Sequence, residues 1–211
     1  MRGFVSTTEQ FAEYRRFFML GEEFRRGALR VDPDDPEFDS FALARGEWRP
    51  ARALRFNHDH GTQAYDLVGT TYAVAVLVSE RFLDVLKTHE FSGWSTYPVT
   101  VRGRNSEPVE GLHGFQITGR AGPIRERLSE RVMLPPPMPQ GRAMSHLKGL
   151  FFEPGTWDGS DIFAPAGTAF MCAQEAVVSA LAEAAITNVT AERLTELDPC
   201  GLAGRSLALS A

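Results

Sequence analysis

At 211 residues, with 43% hydrophobic and 23% charged side chains, the chain has the composition of an ordinary globular protein and room for one large core or two small ones. A formal net charge of −5 argues against a nucleic-acid backbone as ligand, because such proteins usually show a basic face, and leaves a basic protein partner open. No apolar run approaches membrane-spanning length and Met1-Arg2-Gly3-Phe4 does not begin a secretory signal, so a cytoplasmic location is expected.

The first patterned segment is Thr7 to Arg26. Phe11, Tyr14 and Phe18 fit the stripe of a helix started by Thr7 or Thr8, and Tyr14 to Leu20 fits an edge strand equally well. Val31 to Asp39, VDPDDPEFD, reads as an exposed loop or turn. Its Asp32, Asp34, Asp35 and Glu37 are either a solvated acidic loop or a patch that meets a basic partner. Next, His58 and His60 flank Asp59, and alternation along a strand would place both imidazoles on one side. Two ligands do not make a metal site, and His89, His113 and His146 are scattered, so no metal or other cofactor is expected.

Ala73 to Val99 then reads as a strand, a short amphipathic helix, a turn and a second strand. With Leu86 set over Leu181, an offset of 95 positions, Thr168 to Leu194 answers it. Glu80 falls on Glu175, Phe82 on Val177, Ser92 on Thr187, Gly93 on Asn188 and Trp94 on Val189. Ser79 is placed to cap the first helix, Gly93 and Asn188 suit left-handed helix ends, and Phe82, Leu83 and Leu86 with Val177, Val178 and Leu181 mark apolar faces. Either the chain contains two related units, residues 73–99 and 168–194, or any two strand-helix units in one sheet look this alike. The expected fold is α+β or α/β, a single domain with a mixed sheet built from two such units and helices packed on it.

Between the units, Gly111 to Gly122 suggests a strand paired with Thr96 to Val101 and broken at Gly119-Arg120-Ala121-Gly122. Arg120 there lacks the lysine and serine or threonine of a P-loop. Residues 124–149 form a proline-rich connection in which Pro135, Pro136, Pro137 and Pro139 preclude a helix, serving as a spacer or as a ligand for another domain. Trp157 to Asp161 reads as a tight turn. Its Asp158 and Asp161 lack the further carboxylates of a calcium loop, and turn capping accounts for them. Cys172 lies in an apolar run and Cys200 in a loop, a pairing disfavoured in the cytoplasm.

Taken together, LVSERFLDVL, FSGW, YPV, TGRAG, WDGSDIF and AITNV resemble the immunity proteins of bacterial polymorphic toxin systems. The likeness is to the family found in poly-immunity gene clusters and to its relatives with a double CxxCG motif, although this chain has no CxxC. The resemblance implies a non-enzymatic protein whose partner is a cognate toxin, with the acidic loop (Asp32, Asp34, Asp35, Glu37) and the turn at Trp157, Asp158 and Asp161 as candidate contacts. The competing readings are a metal-dependent hydrolase using His58 and His60, and an assembly protein docking through its proline-rich segment.

Overall fold

The structure is a computed structural model that describes residues 12–197 except 24, 37, 45, 73, 74 and 135–142. It is an α+β fold with fifteen strands among the described residues. In chain order these are β1 (Phe17–Glu22), β2 (Arg30–Pro33), β3 (Leu54–His60), β4 (Leu67–Thr70), β5 (Val76–Ser79), β6 (Trp94–Tyr97), β7 (Val99–Arg102), β8 (Pro108–Val109), β9 (Leu112–Ile117), β10 (Gly119–Pro123), β11 (Glu130–Leu134), β12 (Met144–Lys148), β13 (Ile162–Ala166), β14 (Met171–Gln174) and β15 (Val189–Arg193). Three helices accompany them: α1 (Ser40–Ala44), α2 (Glu80–Thr88) and α3 (Glu175–Glu183).

The strands form an eight-stranded sheet of order β6-β9-β5-β4-β2-β3-β7-β8, a five-stranded sheet of order β10-β13-β14-β1-β15, and the β11-β12 pair. The two strand-helix segments therefore lie in different sheets rather than a shared one. In each of the two larger sheets a strand that is not next in sequence is inserted between two others: β9 sits between β5 and β6, and β1, from the other end of the chain, sits between β14 and β15. The pairings correspond at an offset of 95. Leu67 faces Val78 while Ile162 faces Ala173, and Trp94 faces Ile117 while Val189 faces Glu22. In both sheets the neighbour beyond that block runs parallel, β2 beside β4 and β10 beside β13.

Local chemistry explains the helices. The Ser79 hydroxyl accepts from the Phe82 N–H, satisfying a first-turn donor that has no partner within the helix, and Glu80 lies against the positive helix end. Phe82, Leu83 and Leu86 on α2 and Val177, Ala180 and Leu181 on α3 are buried. Both exits turn through left-handed residues at matching places, Glu90 and Gly93 after α2, Ala185 and Asn188 after α3. Gly93 is required there twice over. Its φ is 88° and a Cβ would stand 1.9 Å from the carbonyl oxygen of Ile162.

Strand alternation sorts the core into layers. Val78, Phe115, Ile162, Met171 and Ala173 join both helices in a central cluster that draws on both sheets. Their neighbours face away, Leu77 and Val68 into a cluster with Leu43, Phe56 and Tyr97, and Phe163 and Cys172 into one with Phe17 and Phe152.

Several expectations change. Tyr14 to Leu20 holds the end of a 3-10 turn and then β1, which lies inside its sheet, not at an edge. The start of the acidic stretch, Val31 to Pro33, lies in strand β2 rather than in a loop. Gly119-Arg120-Ala121-Gly122 does not end the strand order; it is β10, where the chain crosses from one sheet to the other. β9 pairs with β6, but β7 leaves to pair with β3 because Pro98, between β6 and β7, has no N–H to continue the ladder. The connection 124–149 carries the antiparallel β11-β12 ladder, while its four prolines lie outside the described residues.

Candidate functional site

The polar side chains that the fold brings together most tightly form two internal clasps. Asp66, immediately before β4, is 7% exposed. Its Oδ1 accepts from the Ser79 hydroxyl at 2.7 Å, and its Oδ2 accepts from the Thr187 N–H at 2.8 Å, the Thr187 hydroxyl at 2.7 Å and Arg81 Nη1 at 3.2 Å. Burial pushes its carboxyl up, but the bonds from Ser79 and Thr187 and the charge of Arg81 outweigh this and hold it below the ordinary value. Asp161, immediately before β13, repeats the arrangement. Oδ2 accepts from the Ser92 N–H and hydroxyl, both at 2.8 Å, and Oδ1 accepts from Gln174 Nε2 at 3.0 Å. Each aspartate thus ties the strand-to-helix junction following it to the loop that follows the other helix.

The turn at Trp157 is also bonded internally, although Asp158 itself is exposed. Asp158 Oδ2 accepts from the Arg120 N–H at 2.7 Å and Oδ1 from the Ser160 N–H at 3.0 Å. Burial raises its carboxyl, and the bonds from Ser160 and Arg120 with the Arg120 charge bring the net shift below the ordinary range. Trp157 is half-buried, its ring 5.1 Å from Phe17 and 5.9 Å from Phe163, its Nε1 donating to the Ser160 carbonyl at 3.0 Å. Arg120 itself donates from Nη1 to the carbonyls of Ile117 and Gly119.

The acidic loop is divided. Asp34 is exposed, 3.9 Å from Arg55, and Asp32 is exposed with Oδ1 accepting from the Thr71 hydroxyl. Asp35 is held by Arg52 at 3.0 Å with its side chain 5% exposed, and Glu37 lies outside the described residues. Beside the loop stand aromatic side chains that sequence reasoning missed. Phe38 packs against Trp48, Phe56 and Tyr72, with Tyr72 and Phe41 exposed. Lone aromatics between turn residues carry no periodicity, and α1, at five residues, is too short to show one.

His58 and His60 sit on β3 but each is engaged locally, Nε2 of His58 with the Gly61 carbonyl at 2.6 Å and Nδ1 of His60 with Asp59 at 2.7 Å. Among the described residues, no group of three or more His, Cys, Asp or Glu side chains could hold a metal ion, and no helix is long and apolar enough to cross a membrane. Cys172 is fully buried, which pushes its thiol up and away from reactivity; Cys200 lies outside the described residues. An open groove between α2 and α3 is lined by Arg81, Asp84, Val85, Ala180 and Glu183. Compared with known proteins, the chain matches no protein-family model and no curated protein.

Proposed function

We propose that the protein is an immunity protein, acting in the cytoplasm, that binds and neutralises a cognate bacterial toxin through its surface. The observation that carries this reading is how its carboxylates are used. Asp66, Asp158 and Asp161 have both oxygens engaged by main-chain N–H groups or neighbouring side chains, so the clustered polar groups hold the fold together. Asp32, Asp34, Phe41 and Tyr72 are among the side chains turned outward, and an inhibitor needs only a complementary surface with aromatic anchors and a polar rim. The segments that resemble polymorphic-toxin immunity proteins, LVSERFLDVL, FSGW, WDGSDIF and AITNV, supply the helix ends and the clasp residues. They support a shared scaffold on which the recognition surface varies.

We also infer that the chain arose from two related units of about the repeat length, which have exchanged strands. Beyond residues 73–99 and 168–194, the offset of 95 relates β1 to β9, β4 to β13 and Asp66 to Asp161. Each unit's first strand lies in the other's sheet.

The test of function is co-purification with the C-terminal domain of the protein encoded immediately upstream. The expected result is a stoichiometric complex and recovery of growth in cells expressing that domain. Growth arrest unrelieved by this protein, with no complex formed, would remove the immunity reading.

A further inference from the structure

We propose that the partner is gripped by an aromatic face made of Phe38, Phe41 and Tyr72, rimmed by Asp32 and Asp34, and that the occupant is a basic segment of the toxin. This rests on the immunity reading above and says where and by what chemistry the contact is made.

Exposure comes first. Of the four large hydrophobic side chains exposed among the described residues, Phe41 (55%) and Tyr72 (46%) belong to this region, the others being Met133 and Phe170. Single exposed apolar side chains are ordinary. Here, however, Tyr72 packs 5.3 Å from Phe38, a ring itself half-buried and 5.9 Å from Phe56, and Phe41 lies three residues on from Phe38 in the first turn of α1.

The supports of both anchors are fixed. Phe41 rides on α1, whose first turn is capped by Asp39 Oδ1 accepting from the N–H groups of Phe41 and Ala42. The other end of α1 is tied to β9 by Gln116, buried to 2% exposure, whose Nε2 donates to the carbonyls of Leu43 and Trp48 at 2.7 and 2.9 Å. Tyr72 stands on a turn organised by the buried Thr70, whose hydroxyl donates toward the carbonyls of Tyr72 and Ala75. Aromatic anchors held in advance lose little freedom on binding, which is why such side chains dominate interface energies.

Charge selects the occupant. Val31 to Asp39 carries five carboxylates and no basic residue. Arg52 holds Asp35 and Arg55 stands beside Asp34, two arginines against the five carboxylates of the stretch, so its net charge stays negative although Asp34 is partly neutralised. An arginine or lysine of the partner can lie over the ring of Tyr72 or Phe41 and pair with Asp32 or Asp34, combining cation–π and ionic contact. The face is also specific to one half of the chain. The position 95 residues on from Tyr72 is Gly167, and 149–155, the counterpart of β3, has in place of a strand the isolated bridge of Phe152 with Ile124 and the start of a 3-10 turn at Pro154.

The probe is the purified C-terminal domain of the upstream-encoded protein, with binding kinetics measured against the full chain. Phe41→Ser with Tyr72→Ser should raise Kd by about 30-fold or more, chiefly through faster dissociation. Asp32→Asn with Asp34→Asn should slow association and flatten its salt dependence between about 0.01 and 0.1 M, where the Debye length falls from about 30 to about 10 Å. Met133→Ser with Phe170→Ser should change neither rate, and unchanged circular dichroism shows that each variant folds. Wild type binding while the aromatic pair binds equally well would overturn the face and leave the immunity reading standing. Loss of binding in Asp84→Asn with Glu183→Gln alone would overturn it in favour of the helix groove. Wild type that does not bind at all overturns both.

Discussion

Asp66 shows how one carboxylate can serve as a joint. Its contacts with Thr187 span 121 positions of sequence, so the side chain that anchors the start of α2 also fixes the loop after α3. Asp66→Ala removes a charged acceptor and leaves the Thr187 N–H unpaired, at an expected cost of about 1.5–3 kcal/mol in urea unfolding at pH 7. Because the folded-state pKa is depressed, the carboxylate's contribution is fully present above the ordinary value of 3.8 and is lost as pH falls through the folded value. The gap between wild type and Asp66→Ala should therefore narrow on going from pH 7 to pH 3, and a gap of the same size at both would show that the ionised form contributes nothing. This joint is invisible in the sequence, where Asp66 closes an unremarked loop and Thr187 reads only as a helix-end residue. Hydrogen bonds between distant loops leave no local pattern. The caps and left-handed turns at Ser79, Gly93 and Asn188 could be read because each depends on one residue's own conformational or hydrogen-bonding preference.

At the scale of elements, the two helices make the clearest test of the core. Leu86 and Leu181 are 0% and 1% exposed, both in the cluster shared by the two sheets. Replacing either by alanine should cost about 2–5 kcal/mol, and the two values should be similar because both side chains are almost fully buried in one cluster; a loss under about 1 kcal/mol at either would mean its packing is not as described. Helical spacing alone points to these residues. Strand partners were harder, since pairing depends on the whole chain, and so β10 read as a break and β1 as helix or edge. One pairing carries its own signature after the fact. Tyr97 faces Gly114 across β6 and β9, and its ring occupies the space a side chain at 114 would need, with a Cβ there only 2.0 Å from the ring. Gly114→Ala should destabilise by about 1–3 kcal/mol through overpacking, measured by thermal or urea unfolding, and relief of that loss by Tyr97→Leu would identify the ring as the obstacle.

For the whole molecule, the consequence of the topology is cooperativity. β1 is held between β14 and β15, so opening the five-stranded sheet strips a strand that comes from the opposite end of the chain, and β9, between β5 and β6, leads directly into β10 of that same sheet. The Asp66 and Asp161 clasps add cross-links in both directions, and the central cluster mixes side chains from both sheets. Neither of the two larger sheets can unfold while leaving the other its full set of contacts, and a single all-or-none transition of the two is therefore expected even at this length. Trp48 packs against the cluster on the outer face of the eight-stranded sheet and Trp157 against that of the five-stranded sheet, which makes them reporters of the two ends. In variants that keep one tryptophan and replace the others by phenylalanine, the effect of a common core change can be compared. Leu181→Ala should lower the urea midpoint seen by Trp48 by as much as that seen by Trp157, although Leu181 belongs to the far helix. If Trp157 moves and Trp48 does not, the shared central cluster does not couple the two sheets and each unfolds on its own.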